Sequence, residues 1–177
     1  MKSRLKWLIP FAVIAALLSS CTGFGDEDEA FYSEWATSYF FGNSLGYIST
    51  FYLDIKQGYT WDEETLESGC EIYLELKGPP VESRQLPSGQ YTVSSEPEQL
   101  YTVQKSRYSY AMPSYIGFLD EGEKEMRRLA IESGVVKIDR IGDDDYSVKI
   151  DVTAAGGHYS YTYRGYVWAV DCTNSGK

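Results

Sequence analysis

His158 is the only histidine in the 177-residue chain, so any metal site or proton relay that needs two imidazoles is excluded. Ser160 and Asp171 follow it, and a Ser-His-Asp relay needs those three residue types within mutual hydrogen-bond reach. On a strand, residues 158 and 160 share one face, and no nucleophile elbow or set of oxyanion donors accompanies them. His158 therefore reads as a polar residue that opens a strand after Gly156-Gly157. Asp143, Asp144 and Asp145 could collect Ca2+, which takes about six to eight oxygen ligands. They lack the spaced carboxylates and distal Glu of a hand-type loop and read as a solubilising hairpin tip. The chain has no phosphate-binding glycine loop, dinucleotide fingerprint, zinc-spaced cysteine pair or HExxH motif. Asp54, Glu71, Glu75 and Asp151 alternate like residues on a wet strand face. The expectation is a non-catalytic protein with no metal and no cofactor.

Aromatic residues are the surplus that could bind something: 16 Tyr, 7 Phe and 4 Trp. Near the C-terminus, Tyr159, Tyr161, Tyr163 and Val167 fall on one strand face, while His158, Ser160, Thr162, Arg164, Tyr166 and Trp168 fall on the other. One face must be core. The other sets Tyr and Trp beside Arg, a combination that can stack on sugar rings or grip a peptide. Tyr101, Tyr108, Tyr110 and Tyr115 form a second cluster around Lys105-Ser106-Arg107. Arg164, Tyr166 and Trp168, with these four tyrosines, are the candidate ligand-binding residues. The plainer reading is that tyrosine is a good strand residue whose hydroxyl reaches water. Cys70 and Cys172 stand at the start of one strand and the end of the last. They form a disulfide if those strands bring their Cα atoms within about 4.4–6.8 Å, and otherwise remain two half-buried thiols.

The third cysteine, Cys21, has a different context. Lys2, Arg4 and Lys6 precede twelve residues, Trp7 to Leu18, without a charge. At a rise of about 1.5 Å per residue that run reaches about 18 Å, short of a roughly 30 Å hydrocarbon core. A basic start followed by a short apolar run marks a secretory signal. Leu18-Ser19-Ser20-Cys21 then resembles the bacterial lipobox. Small residues let a peptidase close on the backbone, and the thiol is the nucleophile that takes the diacylglyceryl group. The resemblance implies a signal peptide over 1–20 and membrane attachment through acyl chains on Cys21, each buried CH2 adding about 0.8 kcal/mol. The alternative for Cys21 is an ordinary thiol behind a plain signal peptide. Residues 21–34, with Asp26-Glu27-Asp28-Glu29, read as an acidic tether. Surface lipoproteins of Bacteroidetes-type bacteria carry acidic clusters just behind the lipidated Cys, so a periplasmic and a surface-exposed place on the outer membrane both stay open.

The whole chain has 26 acids against 16 bases, a net charge of -10. Residues 1–20 hold three of those bases and no acid, so their removal leaves the balance more negative still. This argues against duplex nucleic acid, which needs phosphate-neutralising cations, and against electrostatic adhesion to an anionic leaflet. The membrane is then a partner through lipid alone.

The elements that must position these residues are short strands. Gly46 to Ile55 alternates, with Tyr47, Ser49, Phe51, Leu53 and Ile55 on one side. Cys70, Ile72, Leu74 and Leu76 alternate with Glu71, Tyr73, Glu75 and Lys77, a strand with one wet face. Gln90 to Ser94 follows the Leu86-Pro87-Ser88-Gly89 turn, and 101–104 and 115–119 are weaker strands. Asp120 to Glu132 reads as a polar excursion with one helical turn. Val135 to Ile141, Tyr146 to Val152 and His158 to Val170, joined by Gly142-Asp143-Asp144-Asp145 and Ala154-Ala155-Gly156-Gly157, form a meander. Turn spacings of about ten residues predict an all-β domain over 35–172, a single antiparallel meander of about eight to ten strands closed as a calycin-like barrel or stacked as a β-sandwich. Residues 173–177 are a tail.

Leu86-Pro87-Ser88-Gly89-Gln90-Tyr91-Thr92-Val93, Ile131-Glu132-Ser133-Gly134-Val135-Val136-Lys137-Ile138, Tyr146-Ser147-Val148-Lys149-Ile150 and Tyr163-Arg164-Gly165-Tyr166 carry a wider likeness. In that order they resemble small all-β lipoproteins of Bacteroidetes-type bacteria, over about residues 40–170. These are strand and turn motifs. The resemblance implies fold and envelope location, and it brings no catalytic residues. The function expected is a lipid-anchored binding module for a glycan, a peptide or an envelope protein. The alternatives are a structural or assembly lipoprotein of the outer membrane and a calycin-like carrier of a small apolar ligand.

Overall fold

The computed structural model describes residues 35–44, 46–59, 66–96, 98–105, 114–120, 123 and 125–173. Residues 1–34, with Cys21, lie outside them, as do Tyr108 and Tyr110. Nine strands follow in order: β1 Trp35–Ser44, β2 Ile48–Tyr59, β3 Leu66–Gly78, β4 Gly89–Ser94, β5 Thr102–Gln104, β6 Tyr115–Leu119, β7 Arg127–Arg140, β8 Asp145–Ala154 and β9 Gly157–Asp171. No helix occurs among the described residues.

The strands form one mixed sheet in the order β2-β1-β9-β8-β7-β4-β5-β3-β6, and β2 also pairs with β3 while β7 also pairs with β6. The order therefore returns on itself as a ring of strands. Two links span the gap between β3 and β7. At one end β6 joins Gly69–Tyr73 to Arg127–Ala130. At the other, β4 and β5 join Val135–Ile138 to Leu76–Lys77. The expected meander β7-β8-β9 is present, and most neighbours are antiparallel. Two pairs are parallel: β1 with β9, and β4 with β5. The first of these brings the two ends of the domain together, and Phe40 O accepts a hydrogen bond from Cys172 N (2.8 Å).

Period-2 alternation sends one set of side chains into the ring. Phe51 and Leu53 from β2, Leu74 and Leu76 from β3, Val136 and Ile138 from β7 and Val148 from β8 have no accessible surface. Each such side chain stabilises the fold by roughly 1.5–3 kcal/mol relative to exposure. Tyr91 is also fully buried and donates its phenolic hydrogen to Pro87 O (2.8 Å), which satisfies the one polar atom it brings inside. On β9 the alternation divides as expected: Tyr161, Tyr163 and Val167 are buried, whereas Arg164, Tyr166 and Trp168 are exposed.

The β8–β9 turn has Ala155 at φ 47° and Gly156 at φ 74°, the two positive dihedrals of a two-residue hairpin turn that matches strand twist. The stretch expected to leave the sheet, Asp120 to Glu132, rejoins it early: β7 begins at Arg127 and runs through Ser133 and Gly134 without a break. A bulge between Ile131 and Ser133 explains the misreading. It moves the inward set from Leu129 and Ile131 to Val136 and Ile138, so the alternation changes phase in mid-strand.

Candidate functional site

The outer face of β9, β1, β2, β3, β6 and β7 carries an aromatic and charged surface that register places in rows. One row runs Trp168–Thr37–Asp54–Tyr73–Tyr115–Ala130. The row on one side is Trp35–Lys56–Glu71–Gly117–Arg128, and on the other it is Val170–Tyr39–Tyr52–Glu75. These positions alternate with the core residues, so all of them point away from the interior.

Aromatic rings cross the strands as a ladder. Phe41 meets Tyr52 edge-on (4.7 Å between centroids), Tyr52 meets Tyr73 (5.4 Å), and Tyr73 stacks on Tyr115 (5.4 Å, 17° between planes). The Arg128 guanidinium caps the ladder 5.0 Å above the Tyr115 ring. Each ring pair adds about 0.5–1.5 kcal/mol beyond area burial. At the other edge of this face Tyr166 and Trp168 pack edge-to-face at 6.4 Å, and they remain 54% and 62% exposed.

Beneath the ladder lies a charged cluster. Asp54 and Glu71 were expected on a wet face, yet they retain only 5% and 6% of their surface. The correction has a packing cause: their neighbours across the strands are rings and a thioether. Tyr73 stands opposite Asp54. Opposite Glu71, Gly117 leaves the space that the Met126 thioether fills, since a β-carbon there would collide with it. Lys56 Nζ lies 3.0 Å from Asp54 Oδ2 and 3.9 Å from Glu71 Oε1. Lys77 pairs with Glu75 (2.9 Å) and donates to Thr50 Oγ1 (3.0 Å).

These surroundings shift the titrating groups. Burial drives the Asp54 carboxyl up to about 6; the Lys56 ammonium opposes that rise and the Glu71 carboxylate reinforces it. Burial and the Glu71 charge push the Tyr115 phenol up to about 12. Burial, with adjacent carboxylates adding to it, raises Tyr52 and Tyr73 as well. The ladder phenols are therefore neutral at ordinary pH and able to donate hydrogen bonds.

Tyr101 and Tyr115 do not form one cluster. Tyr101, at φ 55°, packs edge-on against Tyr91 (5.5 Å) over Gly89, while Tyr115 belongs to the ladder. Arg164 lies on the outer face of β9 opposite Ser147. No disulfide joins Cys70 and Cys172. Cys172 lies beside Phe40, whose level on β3 across β2 is Leu76. Cys70 is six residues from Leu76, about 20 Å along the strand and beyond any disulfide span. The Cys70 thiol instead donates to Gln57 Oε1 (3.6 Å). The Ser160–His158–Asp171 arrangement does not assemble either. His158 Nε2 meets Asp151 Oδ1 at 2.6 Å on an exposed surface, whereas Asp171 Oδ1 accepts from Thr173 N and Oγ1.

Sequence reading missed Tyr39, Tyr52, Asp54, Lys56, Glu71 and Tyr73 as members of a site. The available signal was a tyrosine in the middle of a charged strand face, in both Thr50–Lys56 and Glu71–Lys77. Among the described residues, no group of three or more His, Cys, Asp or Glu is placed to hold a metal ion. The site offers hydrogen-bonding phenols, a buried carboxyl pair with one ammonium, and exposed aromatic faces, which together suit recognition. No family model, curated protein or solved structure matches the chain.

Proposed function

We propose that this chain is an envelope lipoprotein whose β-domain is a non-catalytic recognition module, gripping a glycan, peptide or protein partner with the outer aromatic face. One observation carries the reading: the exposed Tyr166–Trp168 pair continues in register, through Thr37 and Asp54, into the Tyr73–Tyr115 ladder. Large exposed rings beside an Arg are the side chains that most often dominate binding energy. The absence of accessible surface on Phe51, Leu53, Leu74, Leu76, Val136 and Ile138 weighs against an apolar-ligand carrier, because a water-sized or larger cavity beside these side chains would leave some. The test is a glycan array together with pull-down from an envelope fraction. Trp168→Ala and Tyr166→Ala should each weaken the interaction found by about 30-fold, the equivalent of about 2 kcal/mol at an aromatic anchor. Unchanged binding by both variants removes the aromatic-face reading.

The lipid half of the proposal rests on Lys2, Arg4 and Lys6, the apolar Trp7–Leu18 run and Leu18-Ser19-Ser20-Cys21. Cys21→Ser removes the sulfur that takes the acyl chains, so the protein should move from the membrane pellet to the soluble fraction on carbonate washing. A Ser variant that pellets as firmly as the parent shows that something other than acylation holds it.

A further inference from the structure

We propose that Asp54 is held protonated and donates that proton toward the Glu71 carboxylate, with Lys56 balancing the charge that remains, and that loss of this proton rearranges the tyrosine ladder beside them. The outer face is then a pH-responsive surface, a statement about regulation that rests on reading this face as the recognition site.

The geometry begins with an orphan atom. Asp54 Oδ2 is engaged by Lys56, but Asp54 Oδ1 is buried without a hydrogen-bond partner. An ionised carboxylate only accepts, and a buried acceptor left unpaired is costly. The Lys56 ammonium holds both carboxyls close about one point, 3.0 Å from Asp54 Oδ2 and 3.9 Å from Glu71 Oε1, and two ionised carboxylates gathered that closely repel. One proton between them removes both difficulties.

The charges facing the pair come from five strands. β2 supplies Lys56. β3 supplies Tyr73 and, one row further on, Glu75, whose charge Lys77 meets. Tyr39 of β1 and Tyr115 of β6 both feel the Asp54 charge. β7 supplies Arg128, which sits over the Tyr115 ring. Only Lys56 reaches both carboxyls. With that proton in place the trio is neutral; without it the trio carries one uncompensated negative charge in a nearly dry place. Relief requires added donors or water. Tyr115 already bonds Glu71, and Tyr73 stands opposite Asp54 and stacks on Tyr115, so a change in donors at the pair is transmitted to the ladder.

The experiment follows the tyrosine near-ultraviolet circular dichroism and the Tyr73 and Tyr115 ring-proton resonances of the full chain from pH 4.5 to 8. Wild type, Asp54→Asn, Glu71→Gln and His158→Gln are compared. His158 is the single histidine, a residue type that changes charge in the same range. The expected result is a transition near pH 6 in wild type and His158→Gln that is absent from Asp54→Asn and moves to lower pH in Glu71→Gln, where burial still acts on Asp54 but the second carboxylate is gone. Should Asp54→Asn not fold, the downward move in Glu71→Gln decides alone. A transition that survives in Asp54→Asn, one that stays in place in Glu71→Gln, one that vanishes only with His158→Gln, or none in wild type overturns the proposal. No ligand enters this measurement, so its failure is distinct from failure of the recognition reading, which the Trp168 and Tyr166 variants test.

Discussion

Gly134→Ala is expected to destabilise the domain by about 3 kcal/mol or more, lowering the melting temperature by about 10 °C. Gly134 sits at the β7 bulge with φ +127°, a backbone conformation that side chains disfavour. A β-carbon there would stand 2.5 Å from Val152 Cα and press on the carbonyl oxygen of Asp151. Both obstacles are backbone atoms of β8, so no rotamer change can clear them. Relief means displacing β8 where Gly134 pairs with Val152 and Val135 with Asp151. That would disturb Ile150 and Val152, both nearly fully buried. The control is Ser133→Ala, an exposed neighbour in the same bulge, which should stay within about 0.5 kcal/mol of wild type. Urea unfolding of the three proteins gives the comparison. A Gly134→Ala midpoint equal to that of Ser133→Ala contradicts the β7–β8 register.

The same bulge shows what the sequence disclosed and what it concealed. β8 and β9 were legible because Tyr146-Val148-Ile150-Val152 and Tyr161-Tyr163 keep strict alternation between turns of recognisable chemistry. The first half of β7 was not, because Glu132-Ser133-Gly134 has turn composition and the inward phase changes across it. β1 escaped for another reason: its inward residues are Ala36, Ser38 and Phe40, while Trp35, Tyr39 and Phe41 point outward. Its polarity is partly inverted with respect to an ordinary half-wet strand. The parallel β1–β9 and β4–β5 pairings depend on contacts between distant segments, which local pattern does not encode.

The site follows the same division. Tyr166 and Trp168 were identifiable as outward aromatics from the periodicity of a single strand. The Asp54–Lys56–Glu71 cluster was not, because within β2 or β3 alone each acid alternates as a solvated residue would. Only the cross-strand register sets Tyr73 beside Asp54 and Gly117, with Met126 over it, beside Glu71. Burial of a strand face is a property of its neighbours, so no pattern along one strand reports it.

Asp54→Asn is expected to gain stability relative to wild type as pH rises, by about 2 kcal/mol between pH 4 and pH 7. Asp54 has a folded-state pKa raised from 3.8 to about 6, chiefly by burial. The folded protein therefore holds this proton more tightly than the unfolded chain does. Its stabilising contribution is complete below about pH 4 and is lost as pH climbs through 6, opposite in sign to a carboxylate held low by an ion pair. Asn cannot ionise and keeps the size of the side chain, so the variant has no such slope. The whole rise, with the opposing pull of Lys56 already contained in it, corresponds to about 3 kcal/mol, and most of it is lost between pH 4 and pH 7. Other carboxylates titrate in both proteins, and subtracting the two stability curves removes them. Urea midpoints of wild type and Asp54→Asn across that range give the difference directly. A difference that does not change with pH would mean that Asp54 is ionised in the folded state throughout, with its charge fully met by Lys56. The buried trio would then be a static ion cluster beneath the ladder, with no proton to release.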